Sequence, residues 1–348
     1  MMYNTYIKCL EELNMKQIQI GDYLFMSCDE KDKERLLNDF IKNESVTFLE
    51  YYQFLHNGGF DELENQLFKH FRIQKWPSLS NDDIICSILP KSEPDRINKR
   101  KKKDYYIANA YCAFVVLKQI YTVELYNELK NTSSTYYFTY FLILKSIMQD
   151  LDQLKNLYSV EIKNDSRYPA YVNRPIHTME LHNVLRQAVY GNVSFHSFVD
   201  YETAAPIAVI RQIIELRIRR AIGVLGYIDE SSNNIYPLKM TKVFEIIKKY
   251  PDISFPNQLT YLERIYQWSN LYIHSGKGDF AWITFFLENY LRPLSFGNRK
   301  SNGNWSCYNA ITVTKETLDK IQEDIQKLNP SFQLLTCSPE CELLERQD

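Results

Sequence analysis

Residues Tyr261–Gly276 read YLERIYQWSNLYIHSG. At 100° per residue, Leu259, Tyr261, Leu262, Ile265, Tyr266, Trp268, Tyr272 and Ile273 fall on one broad apolar arc, and Thr260, Glu263, Arg264, Gln267, Asn270 and His274 on the other. The pattern predicts an amphipathic helix. Glu263, Gln267, Asn270 and His274 recur at i, i+4, i+7 and i+11, so they line up as one polar stripe. Gly276 suits the residue that ends the helix, and His274 stands in the last turn, where the dipole favours a charged imidazole.

A second stretch, Pro206–Ile222 (PIAVIRQIIELRIRRAI), is apolar around most of its circumference and predicts a helix central to the core. It still carries Arg211, Glu215 and Arg219 at i, i+4 and i+8. Charges among such neighbours need partners, because burying one unpaired costs several kcal/mol. The ladder supplies part of that pairing. A cleft shared with the Asn270/His274 stripe is the expected source of the rest.

Ser269-Asn270-Leu271-Tyr272-Ile273-His274 resembles the Arg-Asn-x-x-x-His signature of the HEPN superfamily, with Ser269 at the arginine position. The resemblance implies a small helical bundle and action on RNA, as a metal-independent ribonuclease of a bacterial defence or phage-defence system or as a degenerate RNA-binding relative. It also implies a dimer. Asn270 and His274 are the residues that match. For cleavage, His274 would serve as general acid–base, Arg211 or Arg264 would stabilise charge on the phosphate, Glu215 would hold Arg211, and Asn270 would orient the ring or substrate.

Further along, Arg96–Lys103 (RINKRKKK) places Arg96, Lys99, Arg100, Lys101, Lys102 and Lys103 in one run, the electrostatic footprint of a phosphate-contacting patch or else a solvated loop. The net charge of −2 provides no global attraction for polyanions, so any such role has to be local.

Only 10 glycines and 12 prolines occur in 348 residues, which suits long helices better than a turn-rich β architecture. The predicted organisation is mainly α. It has an N-terminal helical region over 1–90, a basic linker over 91–104, a HEPN-like bundle over 105–295 and a small α/β extension over 296–348. The bundle helices are expected at 104–129, 134–158, 206–222 and 258–275, with an apolar fifth at 279–290. Ser80 begins a capping signal for a short helix ending near Leu89. In the extension, 305–313 and 332–337 read as strands around a helix at 314–328.

Seven scattered cysteines read as free thiols of a reducing cytoplasm, and no signal peptide or membrane-length apolar run is visible. His177, His182 and His196 lack a metal-ligand pattern, and no metal or cofactor is expected. There is no P-loop, G-x-G-x-x-G, G-x-S-x-G or H-E-x-x-H motif, which removes the readily recognised nucleotide-binding, hydrolase and metalloprotease classes. Two readings remain: a HEPN-like protein acting on RNA, and a non-catalytic helical scaffold that dimerises or docks a partner protein.

Overall fold

The computed structural model describes residues 48–89, 99–131, 135–165, 204–275, 279–299, 305–306 and 308–344. Helices account for 68% of the described residues, so the mainly α expectation holds. Residues 48–54 are helical and pass into a π-helical turn, Leu55–Gly59. Gly58 takes φ 96°, which glycine tolerates without steric cost, and the chain kinks there. Helix α1 (Phe60–Phe71) begins at the next residue and buries Phe60, Leu63, Leu67 and Phe71, one face at i, i+3, i+7 and i+11 spacing. Helix α2 (Asn81–Ile88) starts with the predicted capping box: Ser80 Oγ accepts the Asp83 N–H, and the Asp83 carboxylate accepts the Ser80 N–H.

The long helices differ from expectation at their ends. Helix α3 is Lys99–Ile120, so residues 99–104, read as linker, form its opening turn. It stops at Ile120 because Thr122 caps a new helix, accepting the Leu125 N–H on Oγ1. That helix is α4 (Val123–Asn131), and α5 (Thr135–Glu161) follows. Most of α3 from Tyr105 to Leu117 is buried, because α1, α2, α5 and a later helix, α9, all pack on it.

Helix α6 (Ala204–Ala221), expected at the centre, leaves Val209 53% and Leu216 37% exposed. Gly223, at φ 70°, closes it by donating its N–H to the Arg220 carbonyl. Strand β1 (Val224–Ile228) follows without a gap and pairs antiparallel with β2 (Ile235–Pro237). Then come helices α7 (Met240–Ile247), α8 (Leu259–Ser275) and α9 (Ala281–Phe296).

After α9 lie β3 (Asn298–Arg299), β4 (Trp305–Ser306), β5 (Thr312–Thr314), helix α10 (Lys315–Gln326), β6 (Gln333–Thr336) and β7 (Glu342–Leu344). The strand expected at 305–313 is therefore two short pieces around a 3₁₀ turn, Tyr308–Ala310. Strand β6 pairs with β1 in a sheet of order β2-β1-β6, and β5 pairs parallel with β7. Leu318, Ile321 and Ile325 of α10 share one core cluster with the long helices. Arg217 and Arg220 both reach Glu340, whose N–H bonds the Arg220 carbonyl, so the C-terminal residues clasp the end of α6.

Candidate nucleic-acid interface

Helices α6 and α8 pack antiparallel: Ile207 near the start of α6 meets Trp268 and Tyr272 late in α8, while Arg211 meets Tyr266. The charged ladder forms as read from the sequence. Glu215 sits 3.7 Å from Arg211 Nε and 2.6 Å from an Arg219 amino group. Arg211 also donates to the Tyr266 hydroxyl at 3.1 Å, with its guanidinium 5.0 Å from that ring's centre. Arg219 donates to the Leu238 carbonyl at 3.0 Å. All three are partly shielded, and their partners are one another, Tyr266 of α8 and the Leu238 carbonyl ahead of α7.

The expected convergence on His274 does not occur within the chain. The Arg211 guanidinium contacts Tyr266, eight positions before His274, and that spacing is about 12 Å along a helix axis. Arg264 points elsewhere: it donates to the carbonyls of Cys86 and Leu89 at the C-terminal end of α2, where unsatisfied carbonyls and the negative dipole end hold a cation. Glu263 pairs with Lys248 of α7's end. Asn270 is half-buried and His274 exposed. Ser269 is fully buried and donates Oγ–H to the Tyr266 carbonyl at 2.7 Å, so the position of the signature's arginine faces the interior.

A different set of charges does come together. The last turn of α5 meets the first turns of α3 through Lys102 and Glu161, 3.0 Å apart. It meets the end of α1 through Tyr158, whose hydroxyl donates to the Phe71 carbonyl at 3.1 Å and whose ring packs on Phe71. Arg72 follows Phe71 in the left-handed region (φ 55°) and is exposed. Lys163 lies 5.4 Å over the Tyr158 ring. Burial and then the Arg72 charge hold the Lys163 ammonium below its usual range. His70, between the Lys155 carbonyl (3.0 Å) and Ser159 Oγ (3.4 Å), is pushed down to about 4 by burial first and then by Lys163 and Lys155.

Arg72, Lys155 and Lys163 thus lie together where α1 and α5 join, and Lys102 at the start of α3 reaches Glu161 beside them, with Lys101 and Lys103 adjoining it in sequence. Asp104, Asp152, Glu161 and Asp165 offset them in part; Asp152 is taken by Lys155 at 2.9 Å. Lys99–Lys103 also occupy the positive end of a 22-residue helix, where basic residues are unfavourable unless an anion is near. Arg96 lies outside the described residues, as do His177, His182 and His196 and the helix expected near 178–190. Among the described residues no cluster of metal-ligating side chains forms.

The same end of the molecule receives the C-terminal half of α8. Trp268 Nε1 donates to Asp279 at 2.9 Å, and Asp279 together with Glu161 helps to raise the Tyr105 phenol after burial, its largest cause. Tyr105 lies two residues beyond Lys103. Arg72, Lys155 and Lys163 carry no local motif; their one sequence signal is that cations sit at or just past the ends of apolar helices.

No family model, curated protein or solved structure matches the chain. The functional reading therefore rests on the side chains themselves and on the short signature at 269–274.

Proposed function

We propose that the protein is a HEPN-like, non-cleaving relative that binds RNA through its phosphate backbone at the basic end formed by α1, α3 and α5. The observation that supports this reading is the meeting of Arg72 and Lys163 where the ends of α1 and α5 join, with Lys155 also acting on His70 and Lys102 of α3 held at Glu161. Like charges held close repel, and a polyanion relieves that repulsion while releasing its counterions. The neighbouring aromatic rings, Tyr105, Tyr106 and Tyr158, are buried, so base stacking on them is closed and recognition falls to phosphates. RNA, among polyanions, follows from the resemblance of Ser269–His274.

Cleavage is the less favoured activity, because Arg211, Glu215 and Arg264 are bonded away from His274. Incubation with labelled RNA tests this directly. Binding without cleavage, unchanged by His274→Ala, is expected. Metal-independent cleavage lost in His274→Ala would restore the ribonuclease reading.

A second reading has an observation of its own. Leu271 and Ile273, three and one positions before His274, are 43% and 41% exposed, and Val209 of α6 is exposed on the neighbouring helix. Apolar side chains in that setting suit a second copy of the chain or a partner protein. Sedimentation of the purified protein decides it: a dimer dissociated by Leu271→Glu supports docking there, and a monomer removes it.

A further inference from the structure

The ends of α1 and α5 are built alike and lie against each other. Arg72 takes the left-handed conformation (φ 55°) and donates its N–H to the Phe68 carbonyl, which the Ile73 N–H also reaches at 3.0 Å. At the end of α5, Asn164 takes φ 56°, the Lys163 N–H bonds the Tyr158 carbonyl at 3.3 Å and the Asp165 N–H bonds the Ser159 carbonyl at 3.0 Å. The Tyr158 hydroxyl ties the two turns together by donating to the carbonyl of Phe71, the residue before Arg72. Lys163 Nζ lies 5.4 Å over the same tyrosine ring. Tyr158 therefore sets where both cations stand.

A cation at a helix C-terminus complements the dipole, and that accounts for either residue alone. It does not account for two side by side, since like charges oppose each other and Arg72 acts against Lys163. Their neighbours are already matched: Lys155 pairs with Asp152 at 2.9 Å, and Lys102 with Glu161 at 3.0 Å. Among the described residues neither Arg72 nor Lys163 has a carboxylate within ion-pair distance; Asp165 acts on Lys163 from further off. Two cations are thus held together with no anion between them.

We propose, on the RNA reading above, that Arg72 and Lys163 form a site for the terminal phosphate monoester of an RNA, whose strand continues toward Lys101–Lys103. A terminal phosphate carries about −1.5 to −2 charge at neutral pH, against a single charge on each phosphodiester, so a pair of cations favours the end. The guanidinium offers a planar fork to two phosphate oxygens, and the ammonium adds a point charge. Carboxylates restrict the remaining directions: Glu161 and Asp165 stand two positions either side of Lys163, and Asp152 is held at Lys155. A backbone crossing the pair from side to side meets them, whereas one that ends there does not. Lys102 neutralises Glu161, which leaves the way toward the start of α3 open.

The whole protein is titrated, at fixed salt, with one short internally labelled RNA carrying a 5′-phosphate, a 3′-phosphate or hydroxyls at both ends. At least one phosphorylated form is expected to bind about fivefold tighter than the hydroxyl form, from one added charge beside two cations in salt, and the form that does so identifies the end. Arg72→Gln and Lys163→Gln are each expected to remove that advantage. Lys163→Arg, which keeps the charge over Tyr158, is expected to retain it, and Lys101→Gln to weaken all three forms alike. Equal affinity for the three RNAs overturns the end site and leaves backbone binding in place; binding of none overturns both. An advantage that survives Arg72→Gln and Lys163→Gln, or that is lost in Lys163→Arg, also overturns the end site.

Discussion

Acidification should destabilise the protein through His70, and the size follows from its surroundings. The ring is held neutral by burial and by Lys163 and Lys155, with its pKa lowered from 6.5 to about 4. The unfolded chain therefore binds a proton that the folded chain refuses between those values. Stability from this residue is complete above pH 6.5 and is lost as pH falls toward 4, and because solvent screens the partly exposed ring the loss is about 1–2 kcal/mol in all. Between pH 7 and pH 5 the loss is about 1 kcal/mol, and the Asp279 carboxyl, whose pKa is raised, changes stability in the opposite direction over the same interval. The two oppose each other, so the pH profile of the wild type alone is a poor test. His70→Gln is the informative comparison, since its amide can still donate to the Lys155 carbonyl. Urea unfolding followed by far-ultraviolet circular dichroism at both pH values gives the difference between the two proteins. That difference should shift by about 1 kcal/mol in favour of the variant at pH 5. Parallel behaviour, within about 0.5 kcal/mol, would refute the assignment of His70 as a buried neutral base.

Three substitutions test the packing, each read as a change in unfolding free energy. Trp282→Ala empties a fully buried site and strands Asn109 Oδ1, and should cost about 3–5 kcal/mol. Ser80→Ala removes the capping box of α2 and should cost about 1 kcal/mol, with Asp83→Ala giving a similar loss. Gly223→Ala places a side chain at φ 70°, with its Cβ 3.0 Å from Pro339 and 3.1 Å from the Cys337 carbonyl oxygen; a loss above about 1 kcal/mol is expected, together with release of the C-terminal residues to limited proteolysis.

What the sequence made legible was local. The Ser80 cap and the Arg211–Glu215–Arg219 ladder each depend on residues within a few positions of one another, and each formed. Strand β1 was missed because VLGYI has no alternation and one of its partners, β6, comes about a hundred residues later. The break after Ile120 turned on a single threonine cap. At the candidate site the register of the polar stripe was readable, but its surroundings were not. Arg264 is claimed by the end of α2, a contact across 175 positions. Nor do Arg72 and Lys163 look alike in sequence; the Tyr158–Phe71 contact is what makes them neighbours.

The basic end is tested most directly by the salt dependence of RNA binding. Fluorescence anisotropy with a labelled RNA, from 50 to 200 mM salt as typical conditions, gives the slope of log affinity against log salt. Wild type should show a steep negative slope, and Arg72→Gln combined with Lys163→Gln should weaken binding and flatten that slope by about 1.5. Affinity and slope unchanged in the double variant would contradict the account.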